Sequence, residues 1–174
     1  MPTDALVPGF GDAALTLRGA PNLLGFDTTF PESATVVRGF QISGELEEVC
    51  FDDGQRWIFN PGFVLNSEEA PVWIEFEGQS PFIITGRQTV EVLFESQAST
   101  PGLTLTVEEF NFSTNVYEVI GEESESVGVD VQRFFPSSTT GAEEVRIRAG
   151  WRQTGITTNF PWEVRIDTMS WHRI

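Results

Sequence analysis

Apolar and polar residues alternate with a period of two along most of the chain after residue 34, and this pattern restricts the possible folds most strongly. Five segments show it clearly: 71–78, 89–95, 103–108, 145–152 and 162–167. Alternation of this kind is typical of β-strands that bury one face. The residues predicted to face the core are Val72, Ile74, Phe76, Val90, Val92, Phe94, Leu103, Leu105, Val107, Val145, Ile147, Ala149, Trp151, Trp162, Val164 and Ile166.

Turn-forming residues separate these segments, as in Asn60-Pro61-Gly62 and Thr100-Pro101-Gly102. No segment has a sustained helical period, and only 44–50 is compatible with a single helical turn. Short strands at this spacing predict an all-β, antiparallel, two-sheet β-sandwich that resembles a jelly roll. The predicted domain covers 34–174.

Residues 1–33 differ from the rest because they are rich in Pro, Gly, Leu and Phe and poor in charge. A solvated tail is usually polar, so these apolar side chains need a surface to cover. We expect an extended arm that docks on a neighbouring subunit; the alternative is an arm lying on its own domain. The arm residues are Leu6, Phe10, Leu15, Leu17, Leu23, Leu24, Phe26 and Phe30.

Composition excludes several functions. Acidic residues outnumber basic ones 26 to 10, for a net charge of −16, which disfavours nucleic acid and anionic membranes as partners. No apolar run is long enough for a membrane helix. All ten basic residues are Arg, and the single Cys50 and single His172 provide no Cys–His dyad or zinc cluster. We therefore predict no enzymatic activity and no cofactor, and the N-terminus lacks the features of a secretion signal.

Four side chains are candidates for an interface or a glycan contact: Trp73, Arg146, Arg148 and Arg165. By alternation Trp73 points away from the core, where its ring could stack on a sugar or on a subunit. From Arg133 onward the chain has six Arg and four acidic residues, which suggests a basic surface facing the acidic middle of another copy. Ordinary cross-strand ion pairing with Glu163 and Asp167 is the interpretation that we favour.

The acidic turn Asp52-Asp53-Gly54 is a weak calcium candidate, because a complete calcium-loop motif is absent; a solvated turn with an Asx hydrogen bond is the favoured interpretation. No obligatory metal is predicted. The run containing Glu122, Glu123 and Glu125 is expected to be a solvated loop, with a cation site or a partner contact as alternatives.

The order of several motifs resembles an uncharacterised all-β domain at the ends of large bacterial surface and exported proteins. The motifs span about 34–174, and the resemblance implies a sandwich and a non-catalytic module. They include Val37-Arg38-Gly39, Pro61-Gly62-Phe63-Val64-Leu65-Asn66, Glu109-Phe110-Asn111-Phe112, Tyr117-Glu118, Val145-Arg146-Ile147-Arg148 and Phe160-Pro161-Trp162.

These observations favour a non-catalytic structural protein that works by assembly, such as a virion decoration, capsid or tail component. Its partners would be further copies of itself or a scaffold, and it would be located in a virion or another extracellular assembly. The alternative is a carbohydrate-binding β-sandwich module of a cell-surface or exported system, in which Trp73 and nearby acids hold a glycan.

Overall fold

Two β-sheets form the fold, as seen in a computed structural model that describes residues 27–51, 53–66, 69–81, 89–138, 144–153 and 162–174. These residues contain one short 3₁₀ helix, Leu46–Val49, and no α-helix. The strands are β1 (Thr28–Thr29), β2 (Ser33–Arg38), β3 (Phe40–Ser43), β4 (Trp57–Asn60), β5 (Val72–Gln79), β6 (Val90–Ala98), β7 (Leu103–Asn111), β8 (Val116–Ser124), β9 (Val131–Pro136), β10 (Glu144–Gln153) and β11 (Val164–Arg173).

All strand pairs within the two sheets are antiparallel. One sheet has the order β3-β4-β11-β6-β9, and the short strand β1 also pairs with β11. β4 pairs with the first part of β11 and β1 with its last part, while β6 follows β11 along nearly its whole length. The second sheet has the order β2-β5-β10-β7-β8. We refer to them as the six-stranded and the five-stranded sheet.

The core lies between the sheets and is built from the side chains that the alternation assigned to it. Val72, Ile74 and Phe76 of β5 are fully buried, and Trp151 of β10 packs edge-on against Phe94 of β6 across the interface. Burial of this apolar surface supplies most of the driving force for folding. The predicted antiparallel two-sheet sandwich is confirmed.

A buried ionic cluster joins the two sheets inside this core. Glu125, just after β8, accepts hydrogen bonds from Trp151 Nε1 of the five-stranded sheet (2.6 Å) and from Ser96 Oγ of the six-stranded sheet (2.7 Å). Its other carboxylate oxygen lies 3.0 Å from Nη2 of Arg133, whose side chain is also buried. An isolated charge would be costly here, and the cluster pairs it with one counter-ion and two neutral donors.

The structure corrects the prediction for the acidic run. Glu122 and Glu123 belong to β8 rather than to a loop, and they lie near Arg152 (3.5 Å) and Arg133 (3.7 Å). Glu125 is buried rather than solvated.

The sandwich also begins before residue 34, since β1 and the start of β2 belong to the sheets. Of the predicted arm residues, Phe30 is described and its ring lies 6.0 Å from that of Phe51. The others lie outside the described residues, so assembly through the arm stays a prediction for Leu6, Phe10, Leu15, Leu17, Leu23, Leu24 and Phe26.

We expect Glu125→Gln to lower the free energy of unfolding by about 3 kcal/mol, because it removes the buried counter-ion of Arg133 and leaves only the half-exposed Glu123 near that charge. Glu123→Gln is the matched control, since its half-exposed carboxylate lies near the same guanidinium and its loss should cost less than about 0.5 kcal/mol. Urea denaturation measures the free energy of unfolding of both variants. Equal losses of this free energy would show that the buried pair does not stabilise the fold.

Candidate functional site

The outer face of the five-stranded sheet carries a layer of aromatic and arginine side chains. It starts at Trp73 of β5, whose indole lies directly above Gly150 of the neighbouring strand β10. A Cβ atom on Gly150 would lie 2.5 Å from Trp73 Cζ3, so only glycine lets the ring rest on the sheet at this point. The indole is partly exposed on a strand whose other face is buried.

Arg148 and Tyr117 continue the layer. The guanidinium carbon of Arg148 lies 5.7 Å from the centre of the Trp73 ring and 3.8 Å from that of Tyr117. This places the planar cation between two aromatic side chains, an arrangement that arginine adopts more readily than lysine. Tyr117 comes from the edge strand β8 and reaches across β7 and β10, where its hydroxyl donates a hydrogen bond to Glu75 of β5.

Two phenylalanines and a second arginine complete the layer. Phe110 packs edge-on against Tyr117 (5.0 Å between ring centres) and against Phe112 (4.9 Å). The guanidinium carbon of Arg146 lies 5.1 Å from the centre of the Phe110 ring and 5.9 Å from that of Phe112. We use the name aromatic–arginine layer for Trp73, Arg148, Tyr117, Phe110, Arg146 and Phe112.

Carboxylates of β5 neutralise the two arginines. Glu75 Oε2 lies 3.1 Å from Nη2 of Arg148, and Glu77 Oε1 lies 2.8 Å from Nε of Arg146. These contacts join residues directly opposite each other in the ladder between β5 and β10. The face therefore offers fixed donors and acceptors beside aromatic rings, and its two arginines are paired within the chain.

The layer is long and open. Along β10 it runs from Gly150 to Arg146, a rise of about 13 Å for four residues of strand. It ends at a cleft of about 180 Å³ that is lined by Phe110, Phe112 and Glu144, among others. Phe112 at that end is half exposed. An extended chain can lie along such a surface.

Arg146 and Arg148 share a strand face, as predicted, and the structure also places Trp73 beside them and separates Arg165 from them. Arg165 lies on β11, in the opposite sheet, and pairs with Glu163 of its own chain segment (2.9 Å). Of the two interpretations of these arginines, the structure agrees with ion pairing within the chain: Arg146 pairs with Glu77 and Arg148 with Glu75.

The sequence analysis did not identify Tyr117, Phe110 and Phe112 as members of a site. Phe110 does follow the alternation of β7, which places it on the face opposite to Leu105 and Val107. Tyr117 gave no such signal, since its hydrogen bond to Glu75, 42 residues away in sequence, crosses β7 and β10. Its position depends on strand order.

The segment around Asp53, the weak calcium candidate, forms an ordinary turn in the structure. Asp53 Oδ1 accepts a hydrogen bond from the Gln55 backbone N–H at 2.9 Å, which is an Asx turn; Asp52 lies outside the described residues. Within the described ranges, no group of three or more potential metal-binding side chains comes together. In the same residues no helix is long and apolar enough to cross a membrane.

Trp57, Trp151, Trp162 and Trp171 are buried in the core, so Trp73 is the tryptophan available to a ligand. His172 is half buried and Cys50 partly buried, and both lie on the six-stranded side of the sandwich.

Comparison with known proteins finds similar folds but no sequence family. No protein-family model matches the chain, and no curated protein matches it significantly. A family 29 carbohydrate-binding module is 14% identical, with a TM-score of 0.46 over 81% of this chain and 88% of that chain. TmCBM61, solved with β-1,4-galactotriose, is 9% identical, with a TM-score of 0.44 over 82% of this chain and 86% of that chain.

The third structure is the CBM22-1 and GH10 portion of xylanase 10B from Clostridium thermocellum, solved with xylohexaose. It is 13% identical, with a TM-score of 0.49 over 81% of this chain and 25% of that chain. At such identities the likeness concerns the fold alone.

The comparison corrects the leading functional prediction. The sequence analysis favoured a virion decoration, capsid or tail component, whereas these solved domains are carbohydrate-binding modules. That functional prediction is wrong, and no comparison supports a location in a virion.

The hydroxyl of Tyr117 is expected to ionise at unusually high pH. Burial first, and then the hydrogen bond to Glu75, raise the pKa of Tyr117 well above its ordinary value near 10. The native state keeps this proton at pH values where the unfolded chain has lost it. The stabilisation from this group is therefore complete below about pH 10 and is lost as the pH rises further.

Tyr117 is the single tyrosine of the chain, so tyrosinate absorbance measured against pH reports on it alone. The absorbance should rise well above pH 10, and Glu75→Gln should move the midpoint downward. A wild-type midpoint near the ordinary value would show that the hydroxyl is solvated and not bound to Glu75.

Proposed function

We propose that this domain is a carbohydrate-binding module that holds a neutral glycan chain on the aromatic–arginine layer. The observation that carries the proposal is the position of Trp73, whose indole rests on Gly150 on an outward-facing strand surface. Aromatic rings on this face contribute nothing to the core, so their arrangement needs another explanation. The role is binding rather than catalysis.

Sugar rings match such a surface chemically. A pyranose presents C–H groups on its faces and hydroxyls around its edge, so it packs on an aromatic ring while its hydroxyls reach polar neighbours. Glu75, Glu77, Arg146 and Arg148 lie directly beside the rings of the layer and are held in place by ion pairs of 2.8–3.1 Å. Fixed partners of this kind lose little conformational freedom when a ligand binds.

Charge favours a neutral glycan. The whole chain has a net charge of −16, and the two arginines of the layer are already paired. A polyanionic polysaccharide would be repelled by this field. The open shape of the layer favours the interior of an extended chain over a single sugar. Such polysaccharides occur outside cells, which agrees with a cell-surface or exported system.

Removing the stacking ring tests the proposal. Trp73→Ala should weaken binding of xylohexaose or β-1,4-galactotriose, whichever the wild type binds, by at least about tenfold, which corresponds to ~1.4 kcal/mol. Gly150→Ala should weaken it as well without removing any aromatic group, because the new methyl displaces the indole. Isothermal titration calorimetry measures both affinities.

Phe63→Ala is the matched control, since Phe63 is an exposed aromatic residue outside the layer. The affinity of the Phe63→Ala variant for the oligosaccharide should equal that of the wild type. The proposal is wrong if the wild type binds neither these oligosaccharides nor any insoluble neutral polysaccharide, or if Trp73→Ala and Phe63→Ala bind equally well.

A further inference from the structure

The opposite face of the sandwich contains a depression of about 430 Å³ that the proposed function does not use. Its floor is the outer face of β6 and β11 in the six-stranded sheet, and its rim includes Phe30 and Phe51 from the segments around β1 and the 3₁₀ helix. The volume is within the range of sites that hold small molecules. The aromatic–arginine layer is open, whereas this site is concave.

The floor is polar and already ordered. Ser170 Oγ lies 2.8 Å from His172 Nε2, and Thr28 Oγ1 lies 3.1 Å from His172 Nδ1. On the other side, Gln132 Nε2 donates a hydrogen bond to Glu95 Oε2 at 3.0 Å. Hydroxyl, imidazole, amide and carboxylate groups therefore line one small space. Both imidazole nitrogens are already engaged, whereas the hydroxyl, amide and carboxylate groups have capacity for a further hydrogen bond.

Thr168 is a further polar residue of the floor. The residue is 95% buried, and its Oγ1 has no hydrogen-bond partner among the described residues. Buried hydroxyls without a partner are uncommon, because each costs desolvation free energy that is not recovered. The oxygen is shielded from solvent, so a ligand in the depression bonds it only if the floor shifts.

The rim supplies apolar contacts. Phe51 is about half exposed and Phe30 more than one-third exposed, and their rings lie 6.0 Å apart at the edge of the depression. Leu93 of β6 adds an aliphatic surface to the floor. Aromatic and aliphatic walls above a polar floor suit a molecule with both C–H faces and hydroxyl edges.

The charges of the residues that line the depression restrict the class of ligand further. Among the described residues, no arginine lines the depression, so these residues provide no counter-ion for an anionic ligand. His172 faces Ser170, Thr28, the ring of Phe134 and the charge of Glu91. Burial is the main influence and lowers the pKa of His172, so the imidazole is neutral at pH 7. The remaining groups are neutral donors and acceptors together with the Glu95 carboxylate.

We propose that this depression is a second ligand site that takes a neutral mono- or disaccharide, or the end of a neutral glycan chain. It is separate from the aromatic–arginine layer and does not depend on it, because the two lie on opposite sheets. With both sites filled, one domain would hold a chain interior on one face and a chain end on the other.

Two-dimensional ¹H–¹⁵N NMR during titration with D-xylose, D-galactose and cellobiose tests this directly. At least one of these sugars should shift the backbone signals of Leu93, Gln132 and Ser170 and leave that of Trp73 unchanged. Phe51→Ala should weaken the binding by about tenfold, and Phe63→Ala should leave it unchanged. Trp73→Ala should also bind these sugars normally, which separates this result from the proposed function.

Two results would overturn the proposal. In one, none of the three sugars shifts the signals of the depression up to its solubility limit. In the other, choline shifts them and Glu95→Gln abolishes that response, which would make the depression a cation site built from phenylalanine rings and a carboxylate. Melting temperatures of Phe51→Ala and Phe63→Ala should agree, which excludes unfolding as the cause of lost binding.

Discussion

The buried carboxylate of Glu125 is the interaction on which the sandwich most depends, because one side chain is bonded to both sheets. Its hydrogen bonds to Trp151 and Ser96 and its ion pair with Arg133 fix how the sheets lie across each other. An apolar core could tolerate small sliding of one sheet over the other, whereas directional bonds to a buried charge do not. The position of each outward-facing residue then follows from the alternation of its strand.

Both candidate sites use these outer faces, and they differ in shape. The five-stranded sheet carries an open layer in which Trp73 rests on Gly150 and Tyr117 crosses two strands to reach Glu75. On the six-stranded sheet, the segments around Phe30 and Phe51 rise above the strands and leave a depression. Aromatic side chains on either face are held by their neighbours before any ligand arrives, which lowers the entropic cost of binding.

The sequence predicted the faces of the strands but not which strands are neighbours. Alternation correctly assigned Ile147 to the core and Trp73 to the outside, because the period of two is a property of a single strand. It could not show that β10 and β11 belong to different sheets, so Arg165 was grouped with the wrong residues. Tyr117 and the buried pair of Arg133 with Glu125 were missed for the same reason, since their contacts arise from strand order. Because charged residues are rarely buried, sequence patterns alone also assign buried charged residues to the surface.

Binding of a glycan on the ring of Trp73 can be observed through the indole N–H signals in a ¹H–¹⁵N spectrum. The chain has five tryptophans, all within the described residues, and every one except Trp73 is at most 4% exposed. On titration with xylohexaose or β-1,4-galactotriose, we expect the Trp73 indole signal to move and the four core signals to stay in place. A domain that binds the sugar while the Trp73 signal stays fixed would contradict this expectation.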